Sequence, residues 1–488
     1  MITITRRQAR RLRGVFRRST LGISHRGIIA PLVLRAEGTQ LRAHYRYSAT
    51  LAVEHVEPGS YQPGETIALP LDALAEFESR AESPVLLVAV APERTQVRWE
   101  DRGIPQSRDY DVPALETLGA FPEPPHSWTE MPAELLDALL EASRTTTDDN
   151  TRYALNCIQL AGTTHEVAAT DGRQLLVSRG FSFPWTTDVL IRSSPLFASK
   201  ALPRDQPISI GKSDTHVVLR AGPWTFFLEI QSDVRFPSID RVIPDSGATV
   251  TRLRLDAHDV AFLGQALDRL PGAEELNSPL TVECNGRVVV RARNSDQTQV
   301  TDLVLSRSRY TGSPVRLNTN RELLSRALRL GFAEIEVIDA ETPVVCRTES
   351  RVFAWQPLSK EGVIEPADDV IRIESDSQTT PAAIPHDAPP RRRTTVNEHT
   401  PTNRENAPAR DKPRSDGVTN GPGAPENPGP PGLAALIQEA EAVHDALGAA
   451  RARTGRLVVA LRRYRRRERL VQSTLASLRQ LKLSEVAG

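Results

Sequence analysis

Carboxylates and thiols are where chemistry would be sought in this chain of 488 residues, which has three cysteines and a formal net charge of zero. Thr170-Asp171-Gly172 has the residue types of a proton-sharing aspartate loop, Asp-Thr/Ser-Gly, but in another order and without the second copy such chemistry needs. Its residues suit a tight turn, where the Asp side chain bonds nearby backbone and Gly takes positive φ. Asp148-Asp149 has no His or Glu cluster at metal-ligand spacing beside it. There is no glycine-rich phosphate loop and no nucleophile elbow. Cys157, Cys284 and Cys346 lie far apart with no Cys-x-x-Cys, which argues against structural zinc or a disulfide framework and fits a reducing compartment. The sequence points to binding rather than catalysis, with no metal and no cofactor.

The binding chemistry available is mostly arginine. Thr3 to Arg18 predicts a short strand and then a helix, with Ala9, Leu12, Val15 and Phe16 as its apolar stripe and seven arginines over the rest. Near the other end, Arg451 to Arg469 holds nine arginines against the single acid Glu468. Basic residues on the outer faces of a helix suit phosphate contact, or simply a solvated charged surface. With no net charge on the whole chain, any nucleic-acid surface must be local. The arginines near the N-terminus have no apolar run behind them, so no signal peptide is expected, and no run approaches the ~20 apolar residues of a membrane span. The expectation is a soluble, cytoplasmic protein without membrane contact.

The elements that must position these residues recur. Strand-like runs at Ile28–Ala36, Gln40–Tyr47, Ala49–Val56 and Thr66–Leu69 precede a helix at Leu71–Arg80 and strands at Pro84–Val90 and Thr95–Glu100. A helix at Pro132–Ser143, buried through Leu135, Leu136, Leu139 and Leu140, opens a second unit. A helix at Ala257–Leu270 opens a third, which contains a further helix at Arg321–Gly331. Three units of about 115–125 residues with one α+β order suggest an internal repeat, helices covering antiparallel sheet. From Ser359 the composition shifts, and residues 366–432, rich in Pro, Gly and polar types, predict a disordered linker. Beyond it, a/d spacing from Leu436 to Leu478 predicts a coiled coil of about 65 Å if it forms one helix. Gly448 and Gly455 weaken that helix and leave an antiparallel hairpin or short bundle open.

The run TRYALNCIQLAGTTHEVAATDGR, Thr151 to Arg173, reads as a hairpin, with Tyr153, Leu155, Cys157 and Gln159 alternating along its first strand. Its Arg152-Tyr153-x-Leu155-Asn156, then Ala169-Thr170-Asp171-Gly172-Arg173-x-Leu175, then Arg235-Phe236-Pro237 with Arg241-Val242-Ile243-Pro244, resemble the middle domain of the bacterial DNA polymerase III sliding clamp, the β subunit. The resemblance is firm over residues 128–245, extends to Leu358, is thin before Pro113 and is absent beyond Ser359.

That resemblance implies three clamp domains (1–121, 122–250 and 251–358), followed by the linker at 359–432 and the basic coiled coil at 433–485. It implies a head-to-tail homodimer forming a ring around duplex DNA, with helices on the inner wall. It places a peptide-binding groove at Leu155, Thr170, Gly172, Arg173, Gln174, Leu175 and Pro244, closed by Ala354 and Gln356, for short motifs of a polymerase, a clamp loader or repair proteins. It offers as sequence-independent DNA contacts Arg6, Arg7, Arg10, Arg11, Arg17, Arg18, Arg26, Arg152, Tyr153, Arg321, Arg326 and Arg329. Two departures bear on this. Gln174 stands where the family usually has Arg, and Ala354 and Gln356 stand where larger apolar residues are usual, which implies a shallower groove or a different peptide. Carboxylates at Asp72, Glu76, Glu78, Glu134, Asp137, Glu141, Asp259 and Asp268 on the same helices would repel DNA if they lined the hole. The rival reading is a clamp-fold scaffold that does not encircle DNA and acts through its coiled coil.

Overall fold

The computed structural model describes residues 1–20, 30–48, 50–147, 153–367 and 370–376. Arg26, Arg152, most of the expected linker and the expected coiled coil lie outside these residues.

The first helix forms for reasons visible in its ends and its stripe. Thr5 Oγ1 accepts from Gln8 N at 3.1 Å and Gln8 Oε1 accepts from Thr5 N at 2.6 Å, a reciprocal box that satisfies two backbone donors at the start. Ala9, Leu12, Val15 and Phe16 are buried, the larger three worth about 1.5–3 kcal/mol each. Arg17 and Arg18 in the last turn complement the helix dipole.

The first repeat runs β1 (Ile2–Thr5), α1 (Arg6–Ser19), β2 (Leu32–Ala36), β3 (Gln40–Ser48), β4 (Leu51–Pro58), β5 (Thr66–Leu69), α2 (Leu74–Phe77), β6 (Pro84–Ala91), β7 (Arg94–Asp101) and β8 (Ile104–Asp111). The second is β9 (Thr129–Met131), α3 (Glu134–Ser143), β10 (Cys157–Ala161), β11 (Glu166–Thr170), β12 (Gln174–Arg179), β13 (Val189–Arg192), a 3-10 turn at Pro195–Ala198, β14 (Ile208–Lys212), β15 (His216–Ala221) and β16 (Trp224–Glu229). The third is β17 (Thr251–Arg254), α4 (Ala257–Ala266), β18 (Pro279–Asn285), β19 (Arg287–Arg293), β20 (Val300–Leu305), β21 (Arg309–Gly312), β22 (Val315–Asn320), α5 (Arg321–Arg329), β23 (Glu334–Val337), β24 (Val344–Arg347) and β25 (Arg351–Trp355). One more strand follows, β26 (Val370–Glu374).

Each repeat builds two antiparallel layers on four strands of the same order: β5-β2-β3-β4 with β1-β6-β7-β8, β13-β10-β11-β12 with β9-β14-β15-β16, and β22-β18-β19-β20 with β17-β23-β24-β25, where β21 adds a fifth strand beyond β17. Neighbouring repeats fuse through their edges. β4 pairs with β16 over five residue pairs, and β12 with β25 over five, both antiparallel. One apolar cluster fills the first two repeats, from Ile2 to Leu228, and a second fills the third around Leu263, Leu280, Leu317, Phe332 and Trp355.

Several elements differ from the sequence expectation. The helix expected at Leu71–Arg80 is a 3-10 turn at Leu71–Ala73 followed by α2, and stops at Phe77. Its next turn is diverted: the Phe77 carbonyl accepts from Arg6 Nε at 2.8 Å and Ser79 N donates to the Arg6 carbonyl at 3.2 Å. The expected strand Tyr153–Leu160 begins only at Cys157, because Ala154 N is drawn to the Arg235 carbonyl at 3.0 Å and Ala154 to Cys157 form a turn. The helix expected to Leu270 ends at Ala266 and tightens into a 3-10 turn at Leu267–Arg269. Leu140 is half-buried while Leu135, Leu136 and Leu139 are buried as expected. The segment assigned to the linker contains β26, which adds a fifth strand to the sheet of the third repeat.

Candidate functional site

The Thr170–Gln174 turn is fixed from within. Asp171 Oδ1 accepts from Arg173 N at 2.8 Å and Gln174 N at 2.9 Å, and Asp171 Oδ2 accepts from Gln174 Nε2 at 2.8 Å. Thr170 Oγ1 donates to the Gln174 carbonyl at 2.7 Å and accepts from Gly172 N at 3.0 Å. Gly172 has φ +85°, a conformation strained for any residue with a Cβ. Asp171 is therefore a turn former whose oxygens are already bonded to the turn itself.

β12 leaves this turn and pairs with β25, setting Leu175 opposite Ala354 and Gln174 opposite Trp355. The pairing brings Thr170, Gly172, Arg173, Gln174, Leu175, Ala354 and Gln356 to one slot of about 60 Å³, completed by Val242, Pro343 and Trp355. Leu155 is half-buried beside the turn, its Cδ1 within 3.7 Å of where a Cβ on Gly172 would stand. Pro244 does not line the slot; its carbonyl accepts from Arg347 Nη2. Val242, two residues earlier in the same motif and well exposed, lines it instead. Pro343 carried no signal in sequence, because the turn between β23 and β24 reaches the slot only through the sheet. Small-molecule pockets measure ~300–1,000 Å³, so this slot has room for a single side chain rather than a whole small molecule.

The slot straddles the junction of the second and third repeats, and Arg326 on α5 ties that junction. It is 9% exposed. Nη1 donates to the Arg144 carbonyl and to Gln174 Oε1, both at 2.9 Å. Nη2 donates to the Glu141 carbonyl at 2.9 Å and to Thr145 Oγ1 at 2.8 Å. Gln174, set by Asp171 on its amide nitrogen, presents its oxygen to this guanidinium.

Arg326 is thus not a phosphate contact, and neither is Arg321, which is 1% exposed. Arg321 donates to the carbonyls of Leu267 at 3.1 Å, Leu270 at 2.8 Å and Pro271 at 2.6 Å. It satisfies the open end of the preceding helical turn, a task a charge can perform inside the protein when several acceptors surround it. Both arginines were expected at a DNA surface; helical spacing alone gave no sign that their face packs inward.

The other arginines divide. Arg6 is bound to the Phe77 and Glu100 carbonyls and to Asp101, Arg7 to Glu82 at 2.8 Å, and Arg11 to Glu57. Arg18 Nη1 reaches the Ala198 carbonyl at 3.0 Å. Arg10, Arg17 and Arg329 are exposed and make no ion pair among the described residues. Tyr153 is half-buried at the start of the turn before β10. The carboxylates that would oppose DNA are largely engaged: Glu76 with Arg108, Glu78 with Arg13 at 2.8 Å, Asp137 with Arg204, and Glu141 with Arg144. Asp259 is wholly buried and accepts from Ser308 N and Ser308 Oγ, both at 2.6 Å.

No helix among the described residues is long and apolar enough to cross a membrane. Among the same residues no group of three His, Cys, Asp or Glu side chains could hold a metal ion.

No protein-family model matches the sequence, and no curated protein matches it either. Solved structures do match in fold. The DNA polymerase III subunit beta of Pseudomonas aeruginosa superposes with a TM-score of 0.60 at 18% identity, over 73% of this chain and 99% of that one. The DNA polymerase sliding clamp of Bacillus subtilis gives 0.61 at 18% identity, over 73% of this chain and 98% of that one. A putative DNA polymerase III beta subunit of Eubacterium rectale gives 0.61 at 12% identity, with 73% and 99% covered. Across three repeats and nearly the whole length of those proteins, this chain has the fold of the bacterial DNA polymerase III β sliding clamps.

Proposed function

We propose that this protein is a clamp-like processivity factor without enzymatic activity. Two copies joined head to tail encircle duplex DNA, and the slot between the second and third repeats captures a short motif from a polymerase, loader or repair protein. The observation that carries this reading is the way the repeats join. Each hands the last strand of one layer (β4, then β12) to the last strand of the next repeat's other layer (β16, then β25). That rule, run once more, asks β20 to meet a β8, and the only β8 available without bending the chain back on itself is on another copy. Exposed Arg10, Arg17 and Arg329 supply mobile, sequence-independent phosphate contacts of the kind a sliding ring needs.

The test is topological. The protein is loaded on nicked circular plasmid with a clamp loader, the DNA is then linearised, and release is followed by gel filtration. Retention on circles with rapid loss from cut ends is the expected result. Equal retention on both forms, abolished by removing residues 433–488, would mean that the arginine-rich tail holds DNA directly. One observation favours the scaffold reading: β26 lies along the β20 edge that a ring would use. Retention on neither form, with loading verified by a control clamp, would establish that reading.

A further inference from the structure

Of the strands the repeat rule leaves over, β8 is bare and β20 is covered among the described residues. β8 closes the β1-β6-β7-β8 layer as a free edge, and seven of its eight side chains are exposed, Ile104 at 62%. β20 carries β26, from Val300 opposite Val370 to Val304 opposite Glu374. This pairing spans five residue pairs, the same number as each seam between repeats, but it is the one parallel pairing among the described strands.

The two kinds of seam also differ in how much they bury. On the β16 side of the first seam Trp224, Phe226, Phe227 and Leu228 are all at most 2% exposed. On β26, Ile371 is 45% and Ile373 37% exposed, and Arg372 and Glu374 are exposed as well. β26 therefore holds by its backbone ladder and by the residues just beyond it, with little apolar burial to secure it. Ser375 is that anchor: its N–H donates to the Val304 carbonyl at 3.0 Å, and Ser306 N donates to its Oγ at 3.0 Å. Asp376 adds an ion pair to Arg307 at 2.7 Å.

We propose that β26 is a detachable cap on the β20 edge, and that β8 of a second copy of this chain displaces it when the ring closes. This rests on the ring reading above. The cap protects an otherwise open edge from indiscriminate pairing and makes ring closure an exchange of a weakly buried parallel strand for an antiparallel one.

Full-length protein is tested by sedimentation over a wide concentration range. The Ser375 N–H faces β20, so by strand alternation those of Ile373 and Ile371 do too. The double substitution Ile371→Pro with Ile373→Pro removes both ladder donors, and dimerisation is expected to tighten by about tenfold or more. Thr301→Cys with Ile371→Cys, at paired positions, locks the cap when oxidised. That variant should stay monomeric until reduced. Adding Ser107→Pro to the uncapped protein should abolish the dimer. A dimer equally tight in wild-type, uncapped and oxidised locked proteins overturns the cap and leaves the ring standing. A dimer that survives Ser107→Pro overturns the assignment of β8. Monomer throughout, uncapped protein included, overturns both cap and ring.

Discussion

Arg326 Nη1 and Gln174 Oε1 lie 2.9 Å apart, so a helix of the third repeat holds the turn of the second that forms the candidate peptide slot. Because the same guanidinium also satisfies the Arg144 and Glu141 carbonyls, removing it strands buried acceptors on α3 as well as loosening the slot. Arg326→Met should lower stability by about 2–4 kcal/mol, read as a drop in the denaturant midpoint. Its effect on the salt dependence of DNA binding should be nil, since the side chain faces no solvent that DNA could occupy. A reduced salt slope with unchanged stability would return Arg326 to the DNA surface.

Arg10 and Arg17 lie two helical turns apart on α1, both exposed. Arg10→Ala with Arg17→Ala should weaken retention on DNA at every sequence and reduce the slope of log affinity against log salt by about 0.9 for each phosphate no longer neutralised. Neither residue touches the core, so the melting temperature should hold. Titration at several salt concentrations decides it. An unchanged slope would mean that this face of α1 is only a solvated surface.

Much of the architecture was readable because apolar periodicity reports burial. The stripe of α1 and the strands of the central layers, whose side chains alternate between core and surface or are buried on both faces, announced themselves. β8 did not, since an edge strand exposed on both faces has no apolar pattern to read, and Pro105 within it argues against a strand until the edge position is known. β26 was hidden for a related reason. Val370, Ile371 and Ile373 sit in a polar, proline-rich context, and only the vacant edge of β20 gives them a sheet to join. The slot was legible at Thr170–Leu175 and at Ala354, where local motif and strand pairing coincide. Arg321 and Arg326 were misplaced because sequence shows that a helix has a basic face but not what that face meets.

His55 should make the seam between the first two repeats sensitive to acid. It is 2% exposed, its ring lies 4.3 Å from that of Trp224, and its Nε2 has no hydrogen-bond partner. Burial first, and then the charge of Arg11, push its pKa down to about 3. The unfolded chain takes up this proton near pH 6.5 and the folded one only near 3, so the stability owed to a neutral His55 is complete above pH 6.5 and declines as pH falls towards 3. The slope approaches about 1.4 kcal/mol per pH unit. His55→Leu should remove that component. The wild-type denaturant midpoint should therefore fall relative to that of His55→Leu as pH drops from 7 to 5, and parallel curves would show that His55 takes up its proton as readily in the folded seam as in the unfolded chain.

Val242 offers the cleanest test of the slot. It lines the cavity while remaining 44% exposed, so it can be changed without disturbing the core beneath Leu175 and Ala354. A slot of about 60 Å³ has room for one side chain. Val242→Asp places a carboxylate at the rim, where an entering Leu or Phe side chain would have to desolvate it. Binding of a fluorescent pentapeptide carrying a single Leu-Phe pair, measured by polarisation, should weaken by about tenfold or more, a cost of roughly 1.4 kcal/mol or above. The melting temperature should stay within a degree or so of wild type, as for most exposed substitutions. Equal affinity in both proteins would show that the peptide docks elsewhere, and that the Thr170 turn serves only to join the second repeat to the third.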